Sequence, residues 1–452
     1  LEKKYLGPGR SSFAKEKLTG KLQLGIKLAA PVCACVKIKG VLAMKEFFLV
    51  KPLNEVRAFA GLFGPVGEEA VPLEQAWGRV TAQDILCQDS VPPFARSTMD
   101  GFAVAARSTF GASFSNPCQL AVIGTVPMGR AADFGIGPGQ AARIATGGML
   151  PQGADAVVMV EHTETIDDIT IEVYKSIAPQ ENVILAGEDI AAGQIALVTG
   201  TRIRAQEAAL LAAVGACQVP VFLKPIVGIL STGDEVDPPS APPAPGRIRD
   251  MNTYALCGQC LGAGCTPLAL GIVPDREEPL FAAIANALSR CDILLLSGGS
   301  SVGVRDLAVG AILKCSQAKI LAHGVAISPG KPTIVAQAGP KPIIGLPGHV
   351  VSAMVAFEVV AKPFLHRLAG LSGEEAPLLV KARLSRNLAK KKGREEFVRV
   401  KLVSKDGTVV AHPILGKSGE IRTMIAADGL LRIPANDEGM DAGAEAFVLL
   451  LT

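Results

Sequence analysis

The stretch "DILLLSGGSSVGVRDL", Asp292–Leu307, is apolar from Ile293 to Leu296 and then stops at a Ser-Gly-Gly-Ser-Ser turn ahead of Val302. A short apolar run without alternation is the pattern of a strand buried on both faces, as strands of a parallel sheet are. Two further runs have this form, "PIVGILST" (Pro225–Thr232) and "KPIIGLPG" (Lys341–Gly348). Helical spacing fills "NTYALCGQCLGAG" (Asn252–Gly264), "PLFAAIANALSR" (Pro279–Arg290) and "HVVSAMVAFEVVAKPFLHRLA" (His349–Ala369). Buried strands separated by helices predict an α/β domain with a doubly wound, mostly parallel sheet over residues 223–371. The proline-rich "DPPSAPPAPGR" (Asp237–Arg247) inside it reads as an exposed loop.

The flanks differ. Short alternating segments with glycine turns, among them "LAVIGTVPMG" and "DAVVMVEHTE", predict a small β-rich domain over residues 93–186. After "GLSGEEAP" the period becomes two again in "EEFVRVKLV", "TVVAHPI", "GLLRIP" and "EAFVLLL", which predicts a compact antiparallel, β-barrel-like domain over residues 372–452. "VKPLNEVRAFAGLF" (Val50–Phe63) has the spacing of an amphipathic helix. The fold class is α/β multidomain. Composition agrees: aromatics are 4%, while Gly (48) and Pro (31) are plentiful, which suits α/β architecture better than a helical bundle.

Net charge is +3 over 452 residues. Residues 1–43 carry nine basic and two acidic side chains, +7, so the rest carries −4 and presents no broad face for nucleic acid. That opening segment reads as a disordered extension or as sequence upstream of the true start. No stretch approaches the ~20 apolar residues that span a bilayer. The ten cysteines are scattered, as reduced core thiols are in a cytosolic protein. Cys257-Gly-Gln-Cys260 with Cys265 lacks the fourth ligand of a zinc site and reads as two thiols on one helix face.

Ligands of an open parallel sheet bind beyond the carboxyl ends of its strands. Three glycine-containing turns fall at that edge: Ser231–Glu235, Ser297–Gly303 with Asp306 downstream, and Leu346–His349. The second offers backbone N–H groups and the hydroxyls of Ser300 and Ser301 at a helix N-terminus, a setting for an anion. Asp234, Glu235 and Asp306 would repel a phosphate there unless a cation lay between, and Mg²⁺ normally takes one or two carboxylates plus phosphate oxygens. The edge reads as a Mg-dependent site for a phosphorylated ligand. Neither GxxxxGK[ST] nor GxGxxG occurs at it. Lys331, held between prolines and a glycine in "SPGKPTIV", reads as an anion contact. Helix capping is the plainer alternative for Asp234 or Glu235 and, ahead of a phosphate contact, for His349. "AKKKGR" (Ala389–Arg394) reads as a solvated turn.

The order of "PPFARSTMDGFAV", "ARIATGGMLPQGADAVVMVE", "GEDIAAGQ", "GILSTGDEV", "RDMNT", "LLLSGGSSVG", "HGVAISPGKP", "GLPGHVVSA" and "SGEIRTMIAADGLLRIP" closely resembles the molybdopterin molybdenumtransferase family, the MoeA proteins and the E domain of gephyrin. Matches run from about Met44 to the C-terminus. The resemblance implies a homodimer of four-domain subunits, with a discontinuous linking and dimerisation domain at residues 44–92 and 187–222. It implies Mg²⁺-dependent hydrolysis of adenylylated molybdopterin with insertion of molybdate, giving molybdenum cofactor and AMP in the cytoplasm. The partners it implies are the molybdopterin adenylyltransferase and the molybdoenzyme apo-proteins or their chaperones.

Carried over by position, Asp100 in "STMDGF" and Thr146 in "IATGG" would act in catalysis. They would face a cleft between the small domain of one subunit and the α/β domain of the other. Glu188 and Asp189 open the "GEDI" turn. Asp234, Glu235 and Asp306 would handle cation and phosphate, with Asp234 and Asp306 also catalytic. Gly298, Gly299, Ser300 and Ser301 would form the anion loop, Pro347 and Gly348 would border the cofactor, and Lys331 with Arg394 would hold molybdate. Three positions depart from the family pattern: Ser328 replaces a lysine or arginine, Val304 an acidic residue, and His349-Val350 the usual Asn-Pro. Three alternatives therefore stand beside the leading reading: a diverged paralogue serving tungstate, the adenylylating enzyme of the same pathway, and a non-catalytic scaffold. The long chain disfavours the adenylylating enzyme.

Overall fold

The computed structural model describes residues 50–452 apart from 243, 299–301, 374–376, 406 and 452, and excludes the side chains of residues 302–306. The expectations for residues 1–43, for Gly299, Ser300 and Ser301, and for the Asp306 carboxylate lie outside the described residues.

Helix α1 (Leu53–Ala58) follows Pro52 and tightens into a 3-10 turn, Phe59–Leu62. The single helix expected over Val50–Phe63 is thus split, at a segment where Gly61 lowers helix propensity. Leu53, Val56, Ala60 and Phe63 are buried in the same cluster as one face of the central sheet. Strand β1 (Glu68–Pro72) follows.

The small domain holds β2 (Gly101–Val104), β3 (Cys118–Thr125), β4 (Gln140–Ile144), β5 (Ala156–Met159), β6 (Thr163–Asp167) and β7 (Thr170–Val173). They form one sheet in the order β5-β2-β4-β3-β7-β6, antiparallel except for β3 against β4. Alternate residues enter different cores: Phe102, Val104 and Val158 one, Ala103, Ala142 and Val157 the other. Period two in the sequence thus becomes two buried faces. The chain then forms α2 (Ala205–Ala213) and β8 (Gln218–Phe222), which pairs antiparallel with β1 in the register Val71↔Val219. Val71, Leu197, Ile203, Leu211 and Val221 pack around that pair.

The α/β region runs β9 (Ile226–Thr232), α3 (Asn252–Gly262), β10 (Thr266–Val273), α4 (Glu277–Leu288), β11 (Ile293–Gly298), α5 (Val302–Leu313), β12 (Ala318–His323), β13 (Ile334–Ala338) and β14 (Lys341–Leu346). Helix α6 (Val350–Ala356), a π-turn and α7 (Lys362–Leu368) close it. Sheet order is β10-β9-β11-β14-β13-β12, with β10, β9, β11 and β14 parallel and the last two antiparallel. Val227, Ile229, Leu295 and Ile344 face α3, α6 and the π-turn, while Leu230, Leu294, Leu296 and Ile343 face α4 and α5. The sheet is doubly wound, as its apolar runs predict.

The C-terminal strands β15 (Leu379–Leu384), β16 (Glu395–Lys405), β17 (Thr408–Pro413), β18 (Gly429–Ile433) and β19 (Glu445–Leu450) close into a five-stranded barrel, β16-β17-β15-β19-β18 and back to β16. The expected antiparallel pattern has one exception, since β15 and β17 meet in parallel. Ile327–Ser328 of the α/β region adds to the barrel in parallel with Glu395–Glu396. Among the described residues no helix is long and apolar enough to cross a membrane.

Candidate functional site

Strands β9, β11 and β14 end side by side, Thr232 beside Gly298 and Ser297 beside Leu346, so the three glycine-containing turns converge on one rim. Gly298 has φ +141°, and a Cβ there would lie 2.0 Å from the Thr232 carbonyl oxygen. Glycine alone lets β11 leave the sheet this close to β9.

Behind the rim lies a buried polar network that the sequence-based assignment of site residues does not include. Asn252 Nδ2 donates to Ser297 Oγ (2.6 Å) and to the Gly348 carbonyl (2.9 Å). The Thr253 backbone N–H and hydroxyl donate to the Asp250 carboxylate (3.1 and 2.6 Å), and Ser231 Oγ lies 3.0 Å from Thr253 Oγ1. Ser231, Asp250, Asn252, Thr253 and Ser297 are all buried. The "RDMNT" segment therefore fastens all three turns together. Its signal is a polar pair, Asn252-Thr253, at the head of an otherwise apolar helix.

Asp234 and Glu235 sit in a turn leading to a two-residue strand, Val236–Asp237, and begin no helix, so the capping alternative for them falls. Asp234 Oδ1 instead accepts the Asp275 backbone N–H (3.2 Å). Asp275 lies just past the end of β10, and its carboxylate accepts the Thr232 hydroxyl. Burial first, and then the charges of Glu235 and Asp234, hold its carboxyl above the usual range. Asp275 escapes sequence reasoning because β10 is an edge strand with a mixed burial pattern and no continuous apolar run. Among the described residues no three His, Cys, Asp or Glu side chains gather as a ready metal cage. The rim carboxylates not engaged with the sheet are those of Asp234 and Glu235, and Mg²⁺ normally takes one or two carboxylates together with phosphate oxygens and water.

His349 precedes α6, yet its side chain makes no cap bond; its Nδ1 lies 2.7 Å from Ser418 Oγ beside the barrel. His349 is nevertheless the N-cap residue of α6 by position, its carbonyl accepting Ala353 N–H (2.9 Å). Pro347 is buried and Gly348 half-buried. Cys260 and Cys265 are buried, and burial pushes the Cys265 thiol up to about 12.

Lys331 is exposed on a loop whose Gly330 has φ +116° and whose ends are tied by Val325 N–H to the Lys331 carbonyl (2.9 Å). Arg394 is exposed, and Lys390 Nζ reaches its carbonyl (3.0 Å) and that of Ala435 (3.3 Å), so the basic turn is anchored rather than simply solvated. Between this loop and the barrel lies a cavity of about 220 Å³ lined by Ser328, Pro329, Glu396, Arg399, Leu415 and Ser418, among others. Lys331 and Arg394 do not line it. Arg399 Nη2 donates to the Gly416 carbonyl (2.8 Å), and burial pulls its pKa down while pushing that of Glu396 up.

The remaining assigned residues form separate groups. Asp100 Oδ1 accepts the Thr146 backbone N–H (2.7 Å) and hydroxyl (2.9 Å), which hold the exposed carboxyl below its usual range. Glu188 Oε2 closes its own turn on Leu185 N–H (2.7 Å), and Asp189 N–H donates to the Val91 carbonyl (3.2 Å). Among the described residues no hydrogen bond or ion pair links Asp100 or Thr146 to the rim.

Three family descriptions match the chain in series: MoeA N-terminal region (domain I and II) over residues 51–215, probable molybdopterin binding domain over 228–367, and MoeA C-terminal region (domain IV) over 381–451. The molybdopterin molybdenumtransferase of Bacillus subtilis (strain 168) is 35% identical over 405 residues, covering 88% of this chain and 94% of that one. That of Nostoc sp. is 35% identical over 388 residues, with 85% and 88% covered. A crystal structure of the molybdopterin biosynthesis MoeA protein from Pyrococcus horikoshii superposes with a TM-score of 0.77 at 30% identity, covering 89% of this chain and all of that one.

Proposed function

The chain belongs to the MoeA family of molybdopterin molybdenumtransferases, enzymes of molybdenum cofactor biosynthesis, and we propose that it hydrolyses adenylylated molybdopterin and inserts molybdate, releasing AMP. The observation that carries this reading is the rim, where glycine turns able to cradle a phosphate meet carboxylates from two strand ends. Asp234 and Glu235 would hold Mg²⁺ together with phosphate oxygens, with Asp275 behind them on Thr232 and Asp306 following in α5. Bound there, the ion neutralises charge on phosphate oxygens and favours displacement at phosphorus. Gly298 lets β11 turn close against Thr232 at the rim, and Asn252 ties Ser297 to the Gly348 carbonyl there. Asp100, kept ionised by Thr146, supplies a proton acceptor on the small domain.

Molybdate, a tetrahedral dianion, is assigned to the cavity beside Ser328. The hydroxyls of Ser328 and Ser418 and the Arg399 guanidinium border it, and Lys331 lies three residues beyond Ser328. Ser328 supplies no charge at a position where the family pattern carries a cation, which favours a second reading: altered oxyanion selectivity that admits tungstate. A homodimer in the cytoplasm completes the proposal. Leu86 and Ile195, cross-strand partners 57% and 47% exposed, offer apolar surface to a second copy. All eight cysteines among the described residues are free thiols, as a reducing compartment requires.

The test is incubation of purified protein with adenylylated molybdopterin, Mg²⁺ and molybdate, following AMP and reconstitution of an apo-molybdoenzyme. Stoichiometric AMP and active cofactor are expected. AMP formed by neither Mg²⁺ nor Mn²⁺ would leave only the scaffold role, and tungstate outcompeting molybdate would establish the second reading.

A further inference from the structure

We propose that Arg247 is a positioning residue for the acidic turn: through Asp234 and Asp237 it presents the rim carboxylates to the divalent cation. This rests on the function proposed above. The turn Gly233–Glu235 leads into Val236–Asp237, and the chain then departs through a loop with five prolines between Asp237 and Arg247. Prolines cannot donate backbone hydrogen bonds, so the loop is held by few of its own: Ala241 N–H on the Pro238 carbonyl (2.9 Å), Arg247 N–H on the Ala244 carbonyl (3.1 Å), and the Arg249 guanidinium on the Ala241 carbonyl (3.1 and 3.2 Å). It is closed at its base. Val236–Asp237 pairs in parallel with Ile248–Arg249, with Ile248 N–H on the Glu235 carbonyl and Asp250 N–H on the Asp237 carbonyl, each at 2.8 Å.

Arg247 clamps that base. Its Nε donates to Asp237 Oδ2 (2.9 Å), its Nη2 to Asp237 Oδ1, and its Nη1 to the main-chain carbonyl of Asp234. One planar fork thus spans three acceptors, which the single ammonium of a lysine cannot do. The guanidinium grips Asp234 by its carbonyl, and Asp234 Oδ1 is turned to the Asp275 N–H. Among the described residues Asp234 Oδ2 accepts no hydrogen bond, and this is the oxygen that would meet a cation. Three residues beyond Arg247, Asp250 enters the buried Thr253–Ser231 network, so the clamp joins the exposed turn to the sheet interior. An exposed ion pair adds little to global stability, and the effect of this one falls on geometry at the rim.

Arg247→Ala, Arg247→Lys, Asp237→Asn and Asp234→Asn would be compared with the wild type by two measurements. Amide hydrogen exchange at Ile248 and Asp250 in metal-free protein reports the turn, and Mn²⁺ titration reports the site. Arg247→Ala, Arg247→Lys and Asp237→Asn should speed exchange at both amides and weaken Mn²⁺ about tenfold, the usual scale for loss of a support behind a metal ligand. Asp234→Asn should weaken Mn²⁺ while leaving exchange unchanged. Unchanged Mn²⁺ affinity in Arg247→Ala overturns the proposal, as does weakened binding with unaltered exchange, which would reduce the role to charge. A wild type that binds no Mn²⁺ would overturn the proposed function, and the cation role of Arg247 with it.

Discussion

Replacing Asn252 by alanine isolates what the buried network contributes. The variant removes the donor to Ser297 Oγ and to the Gly348 carbonyl, both in a site where Asn252 itself is 8% exposed. Ser297 can rotate its hydroxyl toward another partner, but the Gly348 carbonyl cannot turn without moving the Leu346–His349 turn. One lost hydrogen bond plus one stranded buried acceptor comes to about 2–3 kcal/mol. The loss should appear as lower urea resistance of β11 and β14, read by amide exchange, with β2 and β4 of the small domain unchanged. Phosphate-ligand affinity should fall in parallel, because the turns on either side of the ligand are no longer fixed to each other. Asn252→Asp separates shape from donation. It keeps the volume but sets a buried carboxylate against the Gly348 carbonyl, with only the Ser297 hydroxyl able to donate to it, so it should be worse than alanine at neutral pH and recover on protonation. If Asn252→Ala stays within about 0.5 kcal/mol of the wild type, the range of an inconsequential surface change, the network does not hold the rim.

Gly298→Ala should cost about 1–3 kcal/mol or more in urea unfolding, since its methyl meets the Thr232 carbonyl at 2.0 Å, and should abolish ligand binding even where the domain still folds. Glu396→Gln should stabilise the protein at neutral pH. Burial raises the Glu396 carboxyl, so the wild type compares best below the ordinary glutamate pKa and loses ground as pH rises through the folded-state value; thermal unfolding from pH 4 to 8 checks the sign. Ser328→Lys should lower the molybdate concentration that half-saturates turnover without altering Mn²⁺ binding at the rim, and an unchanged half-saturation would remove position 328 from the oxyanion site.

Some of this was legible in the sequence and some was not. Ile293–Leu296, Val227–Leu230 and Ile343–Ile344 are apolar on both faces, so the inner parallel strands and the edge where they end could be read directly. Edge strand β10 is covered on fewer sides and carries no such run, and Asp275 went unnoticed with it. Period two located the barrel strands but carries no direction, so the parallel pairing of β15 with β17 was invisible. The cavity joins Ser328 to Arg399 and Ser418, and no local pattern links positions so far apart. Asp100 and Thr146 come from the family resemblance, and their mutual hydrogen bonds bring the two to one point of the small domain. The sequence singles out Asp234 and Glu235, and the turn that holds them rules out helix capping as their plainer explanation.

A closed ring of strands leaves few backbone groups free, and at Glu395–Glu396 those of this barrel are taken by Ile327–Ser328. That two-residue graft works as a tiller. Any swing of the barrel must drag the start of the Lys331 loop along or tear the graft, so the cavity bordered by Ser328 and the loop that follows it travel together.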